Sequence, residues 1–424
     1  MRKEEKIYWS LKRLKYLVSI NEETLPDTTD PDYELKYLDI GNVSSNGRVE
    51  PPTTYRFGDA PSRARRVVKD GDVIISTVRT YLQAIAPIEA PPDNLIVSTG
   101  FAVIRPNPDY IIPSFCKYSL RTTSFLSAVE MRSVGVSYPA INASDLGNIF
   151  VKVPTIEVQR RIASFLDSET ARIDALIAAK ERLLALLAEK RQALITRAVT
   201  RGLDPNVNMK DSGVAWLGEV PEGWLILQLK FLTNIPLQYG ANEAALDDDP
   251  NNPRFVRITD IDEFGNLRPE TFKSLTPELA EPYLLESGDI LFARSGATVG
   301  KTFIYKISWG RACFAGYLIR FRCDRTRLLP EFLIEFAQSN FYWAQINEGM
   351  IQATIPNFNS EKYGAMLIAL PPLEEQVEIV SFINKETQRL DAIRISTLCS
   401  INLLKERRIA LITAAVTGQI GKAN

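Results

Sequence analysis

Two stretches of the chain repeat apolar residues at three- and four-residue steps for more than forty positions without a glycine or proline, from about 157 to 200 and from about 374 to 417. The first carries Ile162, Phe165, Leu166, Ile173, Leu176 and Leu183, and the second answers with Ile379, Phe382, Ile383 and Leu390. This period predicts a long helix with a continuous apolar stripe. Some 44 residues at 1.5 Å each give a rod of roughly 65 Å. One small domain cannot cover such a rod, so its natural partner is its own copy in a coiled coil. The plainer alternative, a core helix in each of two separate domains, asks for helices far longer than the usual length of about 11 to 12 residues.

Elsewhere the pattern is short and mixed. DVIIS, DILFA and LIRFR are branched or aromatic strand candidates beside Gly-Asp turns. Two amphipathic runs, beginning at Pro113 and Pro330, carry proline where a helix starts. NEAALDDDPNNP reads as a polar loop. RGLDPNVNMKDSGVAWLGEVPEGW reads as a linker after the first long helix, and Gly418 suits the stop of the second.

The pattern repeats as a whole. Pro154 and Pro371 lie 217 positions apart, and the same shift pairs Gln159 with Gln376, Glu169 with Glu386, Arg172 with Arg389 and Asp174 with Asp391 without a gap. The match ends at ALITRAVT against ALITAAVT. Upstream it is fainter: Asp72 pairs with Asp289, Pro139 with Pro356 and Asn142 with Asn359, and WSLKRLKYL resembles WLILQLKFL. The order is module, helix, module, helix.

Composition narrows the function. At 424 residues, 45% hydrophobic and 24% charged, the chain suits two or more ordinary domains. No run reaches the ~20 apolar residues of a membrane span, and charges interrupt the N-terminal segment, so a cytoplasmic protein is expected. Cys116, Cys313, Cys323 and Cys399 are scattered and read as reduced packing residues. Histidine is absent, which removes Ser-His-Asp and Cys-His catalysis and histidine metal sites together. A net charge of -1 argues against DNA binding through this chain's own basic surface alone.

Taken with the V-P-T-I-E-V-Q and P-P-L-E-E-Q segments, the E-T-x-R-[IL]-D core, ALIT-x-AVT and the GVAWLGEVPEGW linker, the chain resembles the specificity subunits of type I restriction-modification systems. The resemblance spans the full chain. It implies an α+β fold in which two similar target-recognition domains are separated by two long antiparallel helices forming a coiled-coil spacer, with a pseudo-twofold internal repeat. The expected divisions are 1–152 and 223–370 for recognition, 153–202 and 371–418 for the spacer helices, 203–222 for the linker, and a tail to 424. It also implies a noncatalytic subunit that reads an asymmetric bipartite duplex and positions two methyltransferase subunits, and in a complete enzyme restriction subunits. S-adenosylmethionine, ATP and Mg then belong to the partners. Two modules on one groove face would sit about one helical turn apart, ~34 to 36 Å.

Base edges and phosphates are read by Arg, Lys, Asn, Gln, Ser and Tyr on loops. The first module offers Arg79, Tyr81, Gln83, Arg132, Ser133, Ser137 and Tyr138. The second offers Gln238, Tyr239, Arg294, Ser295, Lys301, Gln352, Thr354 and Asn357. Pro139/Pro356 and Asn142/Asn359 are kept between modules that should read different bases and are taken as scaffold. Glu169, Arg172, Asp174, Glu386, Arg389 and Asp391 are a solvated face, interhelix pairs or a partner-docking surface.

Three decoys need weighing. RSGATVGKT nearly spells a phosphate-binding loop, but Ser295 stands where the first glycine belongs; a nucleotide-binding enzyme would rest on this string alone. NPDY at 107–110 approaches a base-gripping motif of amino-methyltransferases, yet reads as a turn before a helix. Asp72 and Asp289 sit at equivalent turns, which favours turn formation over catalysis. A scaffold whose modules bind protein surfaces is the remaining alternative.

Overall fold

The computed structural model describes residues 9–262, 265–350 and 357–420. It divides into two compact units, Met1–Glu181 with Leu398–Asn424, and Arg182–Thr397. Each unit takes part of both long helices, which run over Ile156–Arg201 and Leu373–Val416. Among the described residues no helix is long and apolar enough to cross a membrane.

The first unit holds an antiparallel sheet in the spatial order Val18–Ile20, Phe101–Pro106, Val73–Ser76, Ile85–Pro87. Beside it lies a mixed sheet in which Glu34–Leu38 runs parallel to Leu95–Ser98. A ribbon of Ser10–Arg13 and Phe150–Val153 leads into the first long helix. The second unit repeats this plan: Gln238–Tyr239, Leu318–Phe321, Ile290–Ala293, Thr302–Ile304 form the antiparallel sheet. Arg254–Val256 runs parallel to Ala312–Phe314, and Leu225–Gln228 pairs with Leu367–Leu370. The central runs VIIS and ILFA are buried at every position, which explains why they are apolar, apart from Ser76, rather than alternating. Pro113 and Pro330 open their helices, Pro113–Ser119 and Pro330–Ala337, as the sequence predicts. The linker holds more order than its composition announces, since Met209–Asp211 and Glu219–Pro221 pair as a ribbon.

Within each unit the two long helices are antiparallel. In the first, Ala163 and Leu166 share a core with Ile412, Ala415 and Val416, while Asp174 pairs with Arg408 at 2.9 Å. In the second, Ile195, Ala198 and Val199 share a core with Ile379 and Ile383, and Arg191 pairs with Asp391 at 3.0 Å. The repeat makes these the same contact twice. The buried face of the first helix runs through Gln159, Ala163, Leu166, Thr170 and Ile173. The stripe expected from hydrophobicity differs from it: Phe165 (43% exposed), Leu176, Leu183 and Phe382 face outward. Apolar counting found Leu166, Ile173, Ile379, Ile383 and Leu390 on the buried face but missed Gln159 and Thr170, because those positions are polar. Their groups are satisfied inside, as when the Thr170 and Thr387 hydroxyls donate to the Leu166 and Ile383 carbonyls at 2.6 and 2.8 Å. The second helix ends on Gly418 at φ +77°, with Gln419 N donating to Ala414 O at 2.8 Å, a left-handed stop that glycine permits.

Gln159 and Gln376 tie each module to its helix. The Gln159 carboxamide accepts from Ile112 N at 3.0 Å and donates to Tyr110 O and Pro154 O at 2.9 and 3.0 Å. Gln376 accepts from Leu329 N at 2.8 Å and donates to Arg327 O and Pro371 O at 2.8 and 2.9 Å. Every one of these partners is displaced by 217, so one carboxamide satisfies the same three main-chain groups in both copies.

Asp72 and Asp289 do form turns, accepting from Lys69 N and Glu286 N at 2.8 Å. They also make a contact that the sequence reading lacked. Asp72 takes two parallel bonds from Arg105, both 2.9 Å, and Asp289 takes two from Arg322, both 2.7 Å. This pairing holds the Arg105 and Arg322 pKa values above the usual guanidinium range.

Cys116, Cys313 and Cys323 are buried, and burial pushes the Cys116 and Cys313 thiols up to about 12. Cys399 is exposed on the second long helix, so the packing role expected for all four fails there.

Glu335 offers a pH test. Burial pushes its carboxyl up to about 7, against the opposing pull of Arg191 and of the Gln338 amide that donates to it at 2.9 Å. A carboxyl raised on folding stabilises the fold below its unfolded pKa, and this contribution is lost as pH rises through about 7. Glu335→Gln is therefore expected to stabilise the second unit by about 2 kcal/mol at pH 8, with the gain shrinking toward pH 4.5. Thermal midpoints across that range check it; a gain independent of pH would refute the assignment.

Candidate nucleic-acid interface

Both units place the same main-chain frame at the end of the central sheet. In the first, Thr77 N donates to Gly100 O at 2.8 Å, Ile141 N donates to Thr77 O at 2.9 Å, and Val78 bridges Ala140. In the second, Arg294 N donates to Tyr317 O at 3.0 Å, Phe358 N donates to Arg294 O at 2.8 Å, and Ser295 bridges Asn357. Each bond is the other shifted by 217. The frame joins the loop after one central strand to the loop before a short helix. That helix is capped by Asn142 in one copy and Asn359 in the other, which accept from Asp145 N at 2.8 Å and Lys362 N at 2.9 Å. The scaffold reading of these asparagines stands on that geometry; Pro356 lies outside the described residues.

What hangs on the frame differs. In the first unit Arg79 and Gln83 adopt left-handed φ of +52° and +50° around the turn Thr80–Leu82. Non-glycine residues in this region carry strain of order 1–3 kcal/mol each. The result lifts Arg79, Tyr81 and Gln83 into solvent while Thr80 stays buried as the anchor. Thr80 N donates to Pro139 O at 3.3 Å, and its hydroxyl meets that of Ser133 at 2.9 Å. Ser133 also donates to Val129 O at 2.8 Å, so its hydroxyl holds the loop together. The Arg79 guanidinium stacks 5.1 Å from the Tyr138 ring centre. Arg132, at the end of the preceding helix, and Ser137, on the same loop as Tyr138, are exposed.

In the second unit the cation stacked on a tyrosine is Arg294, 4.7 Å from the Tyr239 ring centre. Tyr239 is fixed in turn, its hydroxyl accepting from Ser360 N at 3.0 Å. Arg294 keeps a buried Nε that makes no hydrogen bond to the described residues. Ser295 and Asn357 meet across the frame, and Lys301 is exposed beyond the hairpin turn. Gln238 is held locally, accepting from Arg320 and donating to Pro282 O at 3.1 Å. Gln352 and Thr354 lie outside the described residues. Polarity alone missed Tyr317, which is exposed beside Arg294, and the exposed apolar residues Met131, Val134 and Val136.

The phosphate-loop decoy resolves into a hairpin. GATVGKT joins the antiparallel strands Ile290–Ala293 and Thr302–Ile304, whereas a phosphate loop runs from strand into helix. Three of its amides are already used: Val299 N donates to Gly296 O at 3.2 Å, Gly300 N to Ala293 O at 3.2 Å and Lys301 N to Thr298 O at 3.0 Å. NPDY is a turn closed by Asp109 N on the Asn107 side chain at 3.0 Å, just before Pro113–Ser119.

The helix charges divide into two roles. Asp174 and Asp391 are the interhelix partners described above. Arg172 with Glu169, at 3.6 Å, and Arg389 with Glu386 pair along their own helices near the surface. Phe165 and Leu176 are eleven residues apart, three turns, and so share the exposed face of the first helix in the first unit. Phe382 and Ile393 repeat them in the second unit.

Comparison with known proteins agrees with this architecture. The type I restriction enzyme StySPI specificity subunit of Salmonella potsdam is 23% identical over 324 residues, 75% of this chain and 67% of that protein. The MjaVIII specificity subunit of Methanocaldococcus jannaschii is 24% identical over 265 residues, 61% of this chain and 60% of that protein. A solved chain of a type I restriction-modification system has the same fold, with a TM-score of 0.79 at 24% identity over 98% of this chain and 99% of that one. The HsdS subunit from Thermoanaerobacter tengcongensis aligns with a TM-score of 0.56 at 24% identity, covering 97% of each chain. The pattern of the type I restriction modification DNA specificity domain matches residues 8–185 and 221–412, one copy on each module with the helix that follows it, and the chain belongs to that family.

Proposed function

We propose that this chain is the DNA-recognition subunit of a type I restriction-modification complex, each module reading one half of an asymmetric, two-part duplex target. The observation that carries this is the shared frame, Thr77–Ile141 in one unit and Arg294–Phe358 in the other, bearing different side chains at its exposed positions. Identical main-chain geometry with different readers suits two half-sites of different sequence. Arg79 and Arg294, each stacked on a tyrosine, are the leading guanine or phosphate contacts.

The chain contributes recognition rather than chemistry. Two methyltransferase subunits, carrying S-adenosylmethionine, dock on the long helices; restriction subunits, where present, bring ATP and Mg. The exposed face with Phe165, Leu176 and the Glu169–Arg172 pair, repeated by Phe382, Ile393 and Glu386–Arg389, supports a docking role, because each apolar group is exposed at the same place in both copies. Partner subunits then supply much of the phosphate contact that a net charge of -1 does not. Assembly takes place in the cytoplasm, where the DNA is.

Methylation-site sequencing tests this. Cells with the chain and its methyltransferase should modify adenines in an interrupted two-part motif, and deleting the chain should abolish all of it. Arg79→Ala should weaken reading of one half-site and Arg294→Ala the other, each by about 10- to 100-fold in affinity. Methylation that persists unchanged without the chain would sink the reading.

A further inference from the structure

The loop joining Thr123–Arg132 to Ala143–Gly147 carries two valines in water, Val134 at 79% and Val136 at 101% exposure. A soluble loop has no folding reason to hold a branched apolar side chain fully out of the core. Nor is this loop loosely built. Val134 N donates to Ala140 O at 2.9 Å and Ala140 N to Val134 O at 3.0 Å, closing a tight loop with Val136 near its tip. Gly135 turns it at φ +113°. Ala140 also bridges Val78, and Ser133 is bonded to Thr80, so the tip is fixed to the central sheet beside Arg79.

We infer that Val136, supported by Val134, is a specificity-determining residue that reads the C5-methyl group of a thymine in the major groove. This rests on the DNA-recognition reading above and deepens it. The stack of Arg79 on Tyr138 puts a cation on the same loop pair, as required of a surface that must approach phosphates before it meets bases. A fixed apolar tip beside a cation has two uses on DNA. Wedges that open base steps in the minor groove are long or broad side chains such as Phe, Leu, Ile, Met or Pro. Valine is short and branched, and its methyl groups match the one apolar feature of a base edge, which stands only in the major groove. The aligned residue in the second module is Ala353, in a segment that keeps the proline but changes Gly135 to Gln352 and Tyr138 to Ile355 (SVGVSYP against MIQATIP), as expected where the two half-sites diverge.

The test uses the full chain assembled with its methyltransferase, on the duplex defined by methylation-site sequencing. Each thymine in both half-sites is replaced in turn by deoxyuridine, which removes only the C5-methyl group. At least one replacement should weaken binding by about fourfold, the size of one buried methyl group. Val136→Ala should bind the thymine and deoxyuridine duplexes equally at that position while keeping the discrimination found elsewhere. The inference is overturned if no deoxyuridine matters to the natural chain, if the half-sites hold no A·T pair, or if Val136→Ala leaves every deoxyuridine effect in place. Failure of the natural assembly to prefer its target duplex at all would instead overturn the recognition reading. The first arm needs no altered protein, so it stands even if Val136→Ala misfolds.

Discussion

Removing residues 181–184 and their equivalents 398–401 should change the number of unspecified bases allowed between the half-sites while leaving the half-site letters alone. Each deletion takes one helical step from a long helix, shortening it by about 6 Å. The duplex advances about 3.4 Å per base pair, so the permitted interruption should shift by one to two base pairs. Both helices must lose the step together, because the ion pairs Asp174–Arg408 and Arg191–Asp391 fix their register within each unit. Methylation-site sequencing reads the outcome directly. The modules themselves are untouched, including the clamps at Gln159 and Gln376. Altered letters with an unaltered interruption would mean that the helices take part in base reading and do not set the spacing.

The second large effect concerns the buried carboxylates. Asp72→Ala and Asp289→Ala should each destabilise their own unit by about 3 kcal/mol. The aspartates are 1% exposed, and removing either strands a guanidinium that stays largely out of water. The lower end of the usual range for breaking a buried pair applies, because Arg105 keeps Glu22 and Glu23, and Arg322 keeps Glu286. Urea unfolding should show one of two transitions moving, and methylation dependent on that unit's half-site should become temperature-sensitive. The control is Asp248→Ala, whose side chain is 79% exposed and pairs with Lys273 only at 3.8 Å. An Asp289 variant no worse than this control would show that neither the turn bond nor the ion pair holds the unit together.

The two aspartates also show what a sequence discloses. Their place beside glycine in a repeated turn was visible, because turns are local and leave local composition. Their arginine partners lie 33 positions further on, where no local rule connects them. The long helices were legible to within a residue or two of their ends, since period and the absence of breakers are properties of one segment. Which face of them is buried was legible only through Leu166 and Ile173 and their repeats, because Gln159, Ala163 and Thr170 are chosen for close approach and internal hydrogen bonding, and hydrophobicity does not register those choices. The candidate interface was legible by residue type alone. Residue type picks out Arg79 and Arg294 as candidates, while their stacking on Tyr138 and Tyr239 depends on which loops the sheet brings together. The frame beneath them is made of main-chain bonds, which any sequence can supply. The valines were passed over because a search for polar readers discards apolar ones.

The shared cores also set a schedule for biosynthesis. Ile412, Ala415 and Val416 complete the interior of the first unit, although they are made only after the whole second module. At about 5–20 residues per second, a ribosome works for tens of seconds with the first module present but its core unfinished. The second module has no such wait, since every part of its unit lies between Arg182 and Thr397. A nascent chain that stalls within the second long helix therefore endangers the module that emerged first, the reverse of the usual order in which upstream domains are safe before downstream ones appear.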